Sequence, residues 1–156
     1  MINSKLLKPV LGIVLITAGL LFFFPKHKTE MMWESFEPHK LDEAKQAGQP
    51  VIMDFFADWC IPCHELDQFT YSDEKVMEAL QLFKKIKVDA TDPDRPETAE
   101  ILEAFDIIGV PTVLFLDTDG REIKEARITG FVPPKELIAI VHSPRFHEWI
   151  PEKLEA

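Results

Sequence analysis

The 156-residue sequence predicts an α/β fold in which a central mixed β-sheet is flanked by helices and preceded by a single N-terminal transmembrane helix. Two observations lead to this interpretation. Segments with helical spacing of apolar residues alternate with short apolar runs of strand length. Before them comes an uncharged apolar run with lysines on either side. We therefore divide the chain into a membrane anchor, a linker, one domain and a tail, which are residues 1–28, 29–37, 38–142 and 143–156.

The anchor is predicted from the run VLGIVLITAGLLFFF, Val10 to Phe24. Its 15 residues would extend about 22 Å as a helix, short of a hydrocarbon core of about 30 Å. Flanking apolar residues lengthen the run, and lysine stems can reach the headgroups. A cleaved signal peptide is the alternative, but no small-x-small cleavage site follows the run. A buried core helix would need a polar face, which the run lacks. Lysines lie at both ends, so charge does not fix the orientation.

The first part of the domain carries a helix and a buried strand. Residues 29–37 have the character of a linker with apolar patches. A proline begins the helix predicted over residues 38–47, because proline is tolerated in a first turn, and Gly48 ends it. The run VIMDFFA, residues 51–57, predicts a strand covered on both faces and is interrupted only by Asp54.

The next four elements alternate between helix and strand. Residues 60–70 and 72–82 are predicted helices, the second with a Ser-Asp capping pair at its start. The segment IKVDA, residues 86–90, predicts a second strand. Residues 96–105 predict a helix with apolar residues on one side.

The last part of the domain predicts a hairpin and a helix. TVLFLD, residues 112–117, is a strand, a Thr-Asp-Gly turn follows it, and residues 122–129 are its predicted partner. Two prolines then begin a helix that runs through residue 141. In the tail, apolar residues recur at helical spacing, so we expect the tail to pack on the domain rather than to dock another protein.

The composition limits the function. Lys and Arg number 17 against 27 Asp and Glu, which gives a formal net charge of −10. This sign argues against nucleic acid as a partner, because phosphate binding needs positive charge. The two cysteines are too few for a disulfide-stapled scaffold or a four-cysteine zinc site. We expect them to act as a pair.

The cysteines form a C-x-x-C motif where the first buried strand gives way to a helix. The first turn of a helix leaves N–H groups without intrahelical acceptors, so a thiolate at Cys60 is stabilised there. Cys63 lies three residues on and faces the same side, and Pro62 fits the first turn. We expect Cys60, at an exposed helix tip, to attack a disulfide and the more buried Cys63 to resolve the mixed disulfide.

Other interpretations of the cysteine pair remain open. The two residues could be core thiols, or a metal pair for which His64 is the only nearby further ligand. Cys60 to His64 also spells C-x-x-C-H, the haem attachment motif. The α/β alternation around the motif argues against an enclosed porphyrin, and we predict no metal site and no organic cofactor.

Two carboxylates are candidate acid–base groups. Asp54 interrupts an apolar strand, where burial should raise its pKa, unless its side chain escapes to the sheet edge. Asp67 follows Cys63 by four residues and Cys60 by seven, so a helix would place all three on one face. Asp67 could equally be a solvated surface residue. An acid close to the sulfurs opposes thiolate formation, can relay a proton to or from Cys63, and favours a reductant over an oxidant.

A second motif, G-V-P-T at residues 109–112, precedes a strand. With the first motif it resembles the thioredoxin superfamily over residues 50–142, and in particular the C-terminal thioredoxin-like domain of the DsbD family of membrane thiol:disulfide interchange proteins. The segments that carry the resemblance are Asp54, Ala57 to Cys63, Thr70, Ser72, Asp73, Gly109 to Thr112, Asp117 to Gly120 and Ala126 to Phe131.

The resemblance implies roles for individual residues. It implies that Cys60 is the nucleophile, that Cys63 is the resolving thiol, and that Pro111 is a cis proline beside the disulfide, although few X-Pro bonds in folded proteins are cis. It matches Asp54 to the family's buried acid and Asp67 to an acidic position beside the site. The implied substrate-binding residues are Trp59, Ile61, Pro62, Val110 and Pro111.

The expected function is that of a membrane-anchored thioredoxin-type reductase in the inner membrane, with its domain facing the periplasm or another extracytoplasmic space. Its expected partners are proteins with disulfides and an electron donor. DsbD-type proteins join this domain to a multi-span electron-carrying domain, whereas here one anchor is expected, so a separate membrane or thiol protein would supply the electrons. The alternatives are a disulfide oxidant or isomerase, a thiol reductase for cytochrome c maturation, a covalent haem carrier, and a non-catalytic binding module.

Overall fold

The computed structural model describes residues 30–143 and residue 146, which form a five-stranded sheet with helices packed on both faces. The strands are β1 Glu34–Ser35, β2 Val51–Phe56, β3 Lys84–Asp89, β4 Thr112–Leu116 and β5 Ile128–Thr129. The helices are α1 Pro38–Gln46, α2 Ile61–Glu65, α3 Glu74–Ala79, α4 Pro96–Ala104 and α5 Pro134–Val141, with a π-helix at Leu66–Thr70 and a 3-10 helix at Lys124–Ala126. The predicted mixed sheet between helices is confirmed.

The sheet has the strand order β1-β3-β2-β4-β5. Strand β3 pairs in parallel with β1 and β2, whereas β4 pairs antiparallel with β2 and β5. The register places Asp54 of β2 beside Lys87 of β3 on one side and beside Val113 of β4 on the other. The centre of the sheet therefore holds a carboxyl group with a lysine on the neighbouring strand.

The core lies on both faces of β2, because successive side chains of a strand point to opposite sides. Ile52 belongs to the apolar cluster on the face covered by α3 and α5. Met53 and Phe55 belong to the cluster on the face covered by α1 and α4. With both faces packed, β2 is held firmly, and so is the segment that follows it from Ala57.

The first difference from the sequence prediction is that the expected linker contains strand β1. Its flanking aromatic residues hold it in place. The Trp33 ring meets the Tyr71 ring edge-on with centroids 4.9 Å apart, and the Phe36 and Phe105 centroids lie 6.4 Å apart. The pattern was too short to show a strand, since only two residues pair.

Two further predicted elements have a different form. The helix expected over residues 60–70 continues as a π-helix after α2, where the Tyr71 N–H donates to the Leu66 carbonyl at 2.8 Å. The strand expected over residues 122–129 is reduced to one bridge, between Leu116 and Glu122, and to β5. Between them, the 3-10 helix buries Ala126 and its N-cap residue Ile123 is also buried, at a spacing of three that matches the turn of that helix.

The membrane anchor expected at residues 1–28 lies outside the described residues, as does most of the tail. Within residues 30–143 and 146, no helix has both the length and the apolar character to cross a bilayer. Phe146 is described and is buried in the core, as expected for a tail that packs on the domain.

Candidate active site

The two cysteines are joined in a disulfide with an S–S distance of 2.03 Å. Cys60 lies at the N-cap of α2, four residues after β2 ends, and the bend is closed by the Cys60 N–H, which donates to the Ala57 carbonyl at 3.0 Å. The Cys63 N–H donates to the Cys60 sulfur at 3.2 Å. An amide of the first helical turn therefore points at the sulfur that we expected to be the nucleophile.

The disulfide is buried, which corrects one expectation. Cys60 and Cys63 are both 3% exposed, so Cys60 is not at an exposed tip while the disulfide is closed. The two residues form a small apolar cluster with Ala57, against which Phe56 and Val110 pack. The disulfide is thus covered by Phe56, Ala57 and Val110 while it is closed.

Two of the predicted substrate-binding residues, Val110 and Pro111, lie on a loop whose Val110 packs on the disulfide. The Val110–Pro111 peptide bond is cis, and the Pro111 carbonyl accepts from the Gly130 N–H at 2.9 Å, which ties this loop to the loop that contains Gly130. Gly130 has a φ of +88°, a conformation that side chains other than glycine rarely adopt.

The surface around the motif is apolar. Trp59 and Ile61 are 63% and 71% exposed, and Pro62 is also exposed. The Trp59 ring is fixed by its N–H, which donates to the Thr91 carbonyl at 3.1 Å. Exposed aromatic and aliphatic groups beside a buried disulfide form a surface that can contact an apolar peptide.

The His64 ring is directed at the backbone rather than at the sulfurs. It is exposed, and one ring nitrogen lies 2.8 Å from the Asp58 carbonyl oxygen. Each cysteine sulfur is bonded to the other, so the C-x-x-C-H sequence takes the form of a disulfide followed by a surface histidine. Among the residues that the structure describes, no group of three or more His, Cys, Asp or Glu side chains is placed to hold a metal ion.

Asp54 lies inside the sheet and does not escape to its edge. It is 1% exposed, and its Oδ1 has no hydrogen-bond partner among the described residues. Burial, partly offset by the positive charge of Lys87, raises the pKa of Asp54 to about 7. A carboxyl with this pKa can accept or release a proton near neutral pH.

Lys87 is the residue of this site that the sequence did not reveal. Its Nζ lies 3.6 Å from Asp54 Oδ2 and donates to both carboxylate oxygens of Asp67, at 2.6 and 2.7 Å. Its ammonium also lies 4.9 Å from the centre of the Phe56 ring and 5.5 Å from that of Trp33. The only sequence signal was a lysine in the middle of an apolar strand. A lysine whose side chain faces solvent would give the same pattern, so the signal did not indicate a functional role.

Asp67 joins the site through Lys87. Its side chain is 43% exposed, and its negative charge adds to the rise in the pKa of Asp54. With Trp33, Tyr71 and Lys87 it lines a cavity of about 320 Å³. The two predicted acids therefore share one lysine, and this cavity leads from their lysine to the surface.

The chain is similar to known redox proteins. A family profile described as a thioredoxin-like domain matches residues 37–143. The thiol:disulfide interchange protein DsbD of Yersinia pestis (strain Pestoides F) is 39% identical over 95 residues, which are 61% of this chain and 16% of that protein. DsbD of Colwellia psychrerythraea is 38% identical over 105 residues, 65% of this chain and 17% of that protein. The matching region thus spans about a sixth of these curated relatives.

The same likeness extends to solved structures. The crystal structure of the Neisseria meningitidis DsbD C-terminal domain in the reduced form has a TM-score of 0.58 and 26% identity, and the match covers 69% of this chain and 96% of that one. A thioredoxin from Thermus thermophilus, with a TM-score of 0.58 and 23% identity over 71% of this chain and 85% of that one, shares the fold.

Proposed function

The chain belongs to the thioredoxin-like domain family, and on that premise we propose that it is a thiol:disulfide oxidoreductase that reduces disulfides in extracytoplasmic proteins. One observation carries the proposal. Cys60 and Cys63 form a disulfide at a strand–helix junction, with the Cys63 N–H aimed at the Cys60 sulfur. The DsbD name of the similar proteins, thiol:disulfide interchange protein, supports the same chemistry.

The proposed cycle starts from the reduced pair. The Cys60 thiolate attacks one sulfur of a substrate disulfide, so a mixed disulfide forms and the other substrate sulfur leaves as a thiolate. Cys63 loses its proton and attacks the Cys60 sulfur, which releases the second substrate thiolate and closes the Cys60–Cys63 disulfide. Two electrons pass to the substrate, and a donor protein must return two electrons to the pair.

Asp54 is the proposed acceptor of the Cys63 proton. Its pKa of about 7 suits proton exchange at neutral pH; burial raises this pKa, Lys87 lowers it and Asp67 adds to the rise. When both acids are ionised, Asp54, Asp67 and Lys87 together have a net charge of −1, which disfavours a thiolate nearby. That balance favours a reducing couple, whereas the amide directed at Cys60 favours the oxidant that is the main alternative.

The proposed location follows from the expected anchor at residues 1–28. We place the domain on the periplasmic or other extracytoplasmic side of the inner membrane, where disulfides in proteins persist. The electron donor is proposed to be a separate membrane or thiol protein. Trp59, Ile61, Pro62, Val110 and Pro111 are the proposed contacts for the substrate chain.

The test combines trapping with a potential measurement. In membranes, full-length protein with Cys63→Ala should form a mixed disulfide that dithiothreitol releases, whereas Cys60→Ala, the matched control, should form none. The wild-type couple should have a reduction potential near that of thioredoxin, about −270 mV. A value of about −120 mV would make the protein an oxidant. No insulin reduction together with no trapped species would leave a binding module instead.

A further inference from the structure

Arg127 makes four hydrogen bonds with its guanidinium group. Nε and Nη2 donate to the two carboxylate oxygens of Glu122 at 2.7 and 2.9 Å. Nη1 donates to the Asp106 carbonyl and Nη2 to the Phe105 carbonyl, both at 2.9 Å. The side chains of Arg127 and Glu122 are only 23% and 16% exposed, so these bonds are largely protected from water. Arg127 is thus a connector between distant parts of the chain.

The two carbonyls belong to the end of α4. The helix ends in a turn in which the Asp106 N–H donates to the Glu103 carbonyl and the Ile107 N–H to the Leu102 carbonyl, at 3.1 and 2.8 Å. Asp106 has a φ of +52°, an unfavourable conformation for a residue with a side chain. The last carbonyls of a helix lack intrahelical donors. Arg127 supplies donors to two carbonyls at this turn.

The turn is continuous with one of the loops beside the disulfide. Ile108 follows it directly and is 97% exposed, and Val110, which packs on the disulfide, comes two residues later. On its other side, Arg127 immediately precedes β5, whose Ile128 pairs with Val113. The chain then reaches Phe131, which is 43% exposed. Arg127 therefore connects the base of the loop that packs on the disulfide to the base of the loop whose Gly130 N–H donates to the Pro111 carbonyl.

We propose that Arg127, oriented by Glu122, is a positioning residue that holds the 105–111 and 127–131 loops in the arrangement needed to bind a protein disulfide substrate. This inference rests on the proposed function. Ile108 and Phe131 are exposed apolar residues on the two loops, and an extended peptide that contacts both of them requires the loops to keep a fixed separation. A small disulfide can react with Cys60 without contacting both loops, so its reaction does not depend on the loop arrangement that Arg127 holds.

A lysine in place of Arg127 cannot form this arrangement. The guanidinium fork makes two parallel bonds to a carboxylate while its remaining N–H groups reach the carbonyls, whereas an ammonium group is a compact point charge. Arg127→Lys and Arg127→Gln should therefore have similar effects. Arg121→Gln is the matched control, because the Arg121 side chain is 71% exposed and, among the described residues, pairs with Asp119 alone, at the hairpin turn.

The experiment uses the full-length protein, reduced and then freed of excess reductant. The reduced protein is mixed with insulin at increasing concentrations, or with 2-hydroxyethyl disulfide, and the reaction is stopped with acid at successive times. The cysteine thiols that remain are alkylated and counted by mass spectrometry, which gives the rate of thiol oxidation. For Arg127→Gln we expect the half-saturating insulin concentration to rise roughly tenfold, with the limiting rate and the 2-hydroxyethyl disulfide rate within about twofold of wild type. Arg121→Gln should match wild type with both substrates.

Two results would overturn the positioning role: an unchanged half-saturating insulin concentration, or an equal loss with both disulfides. If Arg127→Gln does not fold, as judged by circular dichroism, Arg127→Lys and Glu122→Gln take its place under the same criteria. Failure of all three to fold would make Arg127 a general stabilising residue and also overturn the role. If wild-type protein reduces neither disulfide, the proposed function itself fails, which is a separate outcome.

Discussion

Asp54 is a carboxyl group among apolar side chains at the centre of the sheet. Burying a charge there without full hydrogen bonding is costly, and the Oδ1 atom has no partner among the described residues. The carboxyl therefore holds its proton up to a pH of about 7 in the folded protein. A buried group kept in this state destabilises the fold once it ionises, and this is consistent with a chemical rather than a structural role.

The stability of the protein should depend on pH through Asp54. Its pKa is about 7 when folded and 3.8 when free, so between these values the folded state binds more protons. The stabilising contribution is complete below about pH 4 and is lost as the pH rises to about 7. Compared with wild type, Asp54→Asn should gain up to about 1.4 kcal/mol of unfolding free energy for each pH unit in this window.

Urea unfolding from pH 4 to pH 8 measures this difference. Asp58→Asn, which removes an exposed acid next to the same motif, is the matched control. A difference from wild type that changes with pH no more for Asp54→Asn than for Asp58→Asn would contradict the raised pKa of Asp54.

The pKa of Asp54 should respond in opposite directions to its two neighbours. Asp67→Asn removes a negative charge and should lower the pKa, whereas Lys87→Met removes a positive charge and should raise it. Carbon NMR of the Asp54 carboxyl during a pH titration measures both shifts. Lys85→Met, a neighbouring lysine that donates to the Phe83 carbonyl, should have the smallest effect. Shifts of the same sign in the two variants would contradict the shared-lysine arrangement.

At the scale of elements, α3 begins at a specific cap. Asp73 Oδ1 accepts from the N–H groups of Lys75 and Val76 at 2.9 and 3.3 Å, whereas the Ser72 hydroxyl donates backwards to the Gln68 carbonyl at 2.6 Å. Asp73→Ala should therefore lower the unfolding free energy by about 1 kcal/mol. Ser72→Ala, the control, should cost less. Chemical denaturation compares the two, and equal losses would mean that the cap does not set the start of α3.

The elements that differ from prediction were decided by contacts with other parts of the chain. The π-helix after α2 buries Leu66 and Thr70, and the Thr70 hydroxyl donates to the Val132 carbonyl at 2.5 Å, 62 residues away. Strand β1 pairs with the edge of β3 through Glu34 and Ser35, and its flanking residues Trp33 and Phe36 contact distant aromatic rings. No pattern within either segment contains this information.

At the scale of the whole molecule, the tail contributes to the core. The Phe146 ring is 1% exposed, and its centroid lies 5.2 Å from that of Phe115 and 5.9 Å from that of Phe83. Phe146→Ala should lower the unfolding free energy by about 3–5 kcal/mol. Phe69→Ala, at a position that is 54% exposed, should cost less than about 1 kcal/mol. Thermal and urea unfolding measure both, and similar values would show that Phe146 leaves the core in solution.

Local patterns determined a large part of this protein. The apolar run of β2, the position of the C-x-x-C motif after it and the order of helices and strands all depend on neighbouring residues, whose spacing fixes local structure. The cis Val110–Pro111 bond was predicted from the family resemblance and could not have been predicted from composition.

The tertiary structure decided which charged groups meet. Lys87 lies 33 residues after Asp54 and 20 after Asp67. The parallel register of β2 and β3 brings Lys87 beside Asp54, and the folding of the chain brings Asp67, on the π-helix, to the same ammonium group. Arg127 likewise meets the end of α4 only in the folded chain. Pairing between distant strands depends on the packing of the whole domain, so these contacts, and their effect on the pKa of Asp54, could not be read from spacing along the chain.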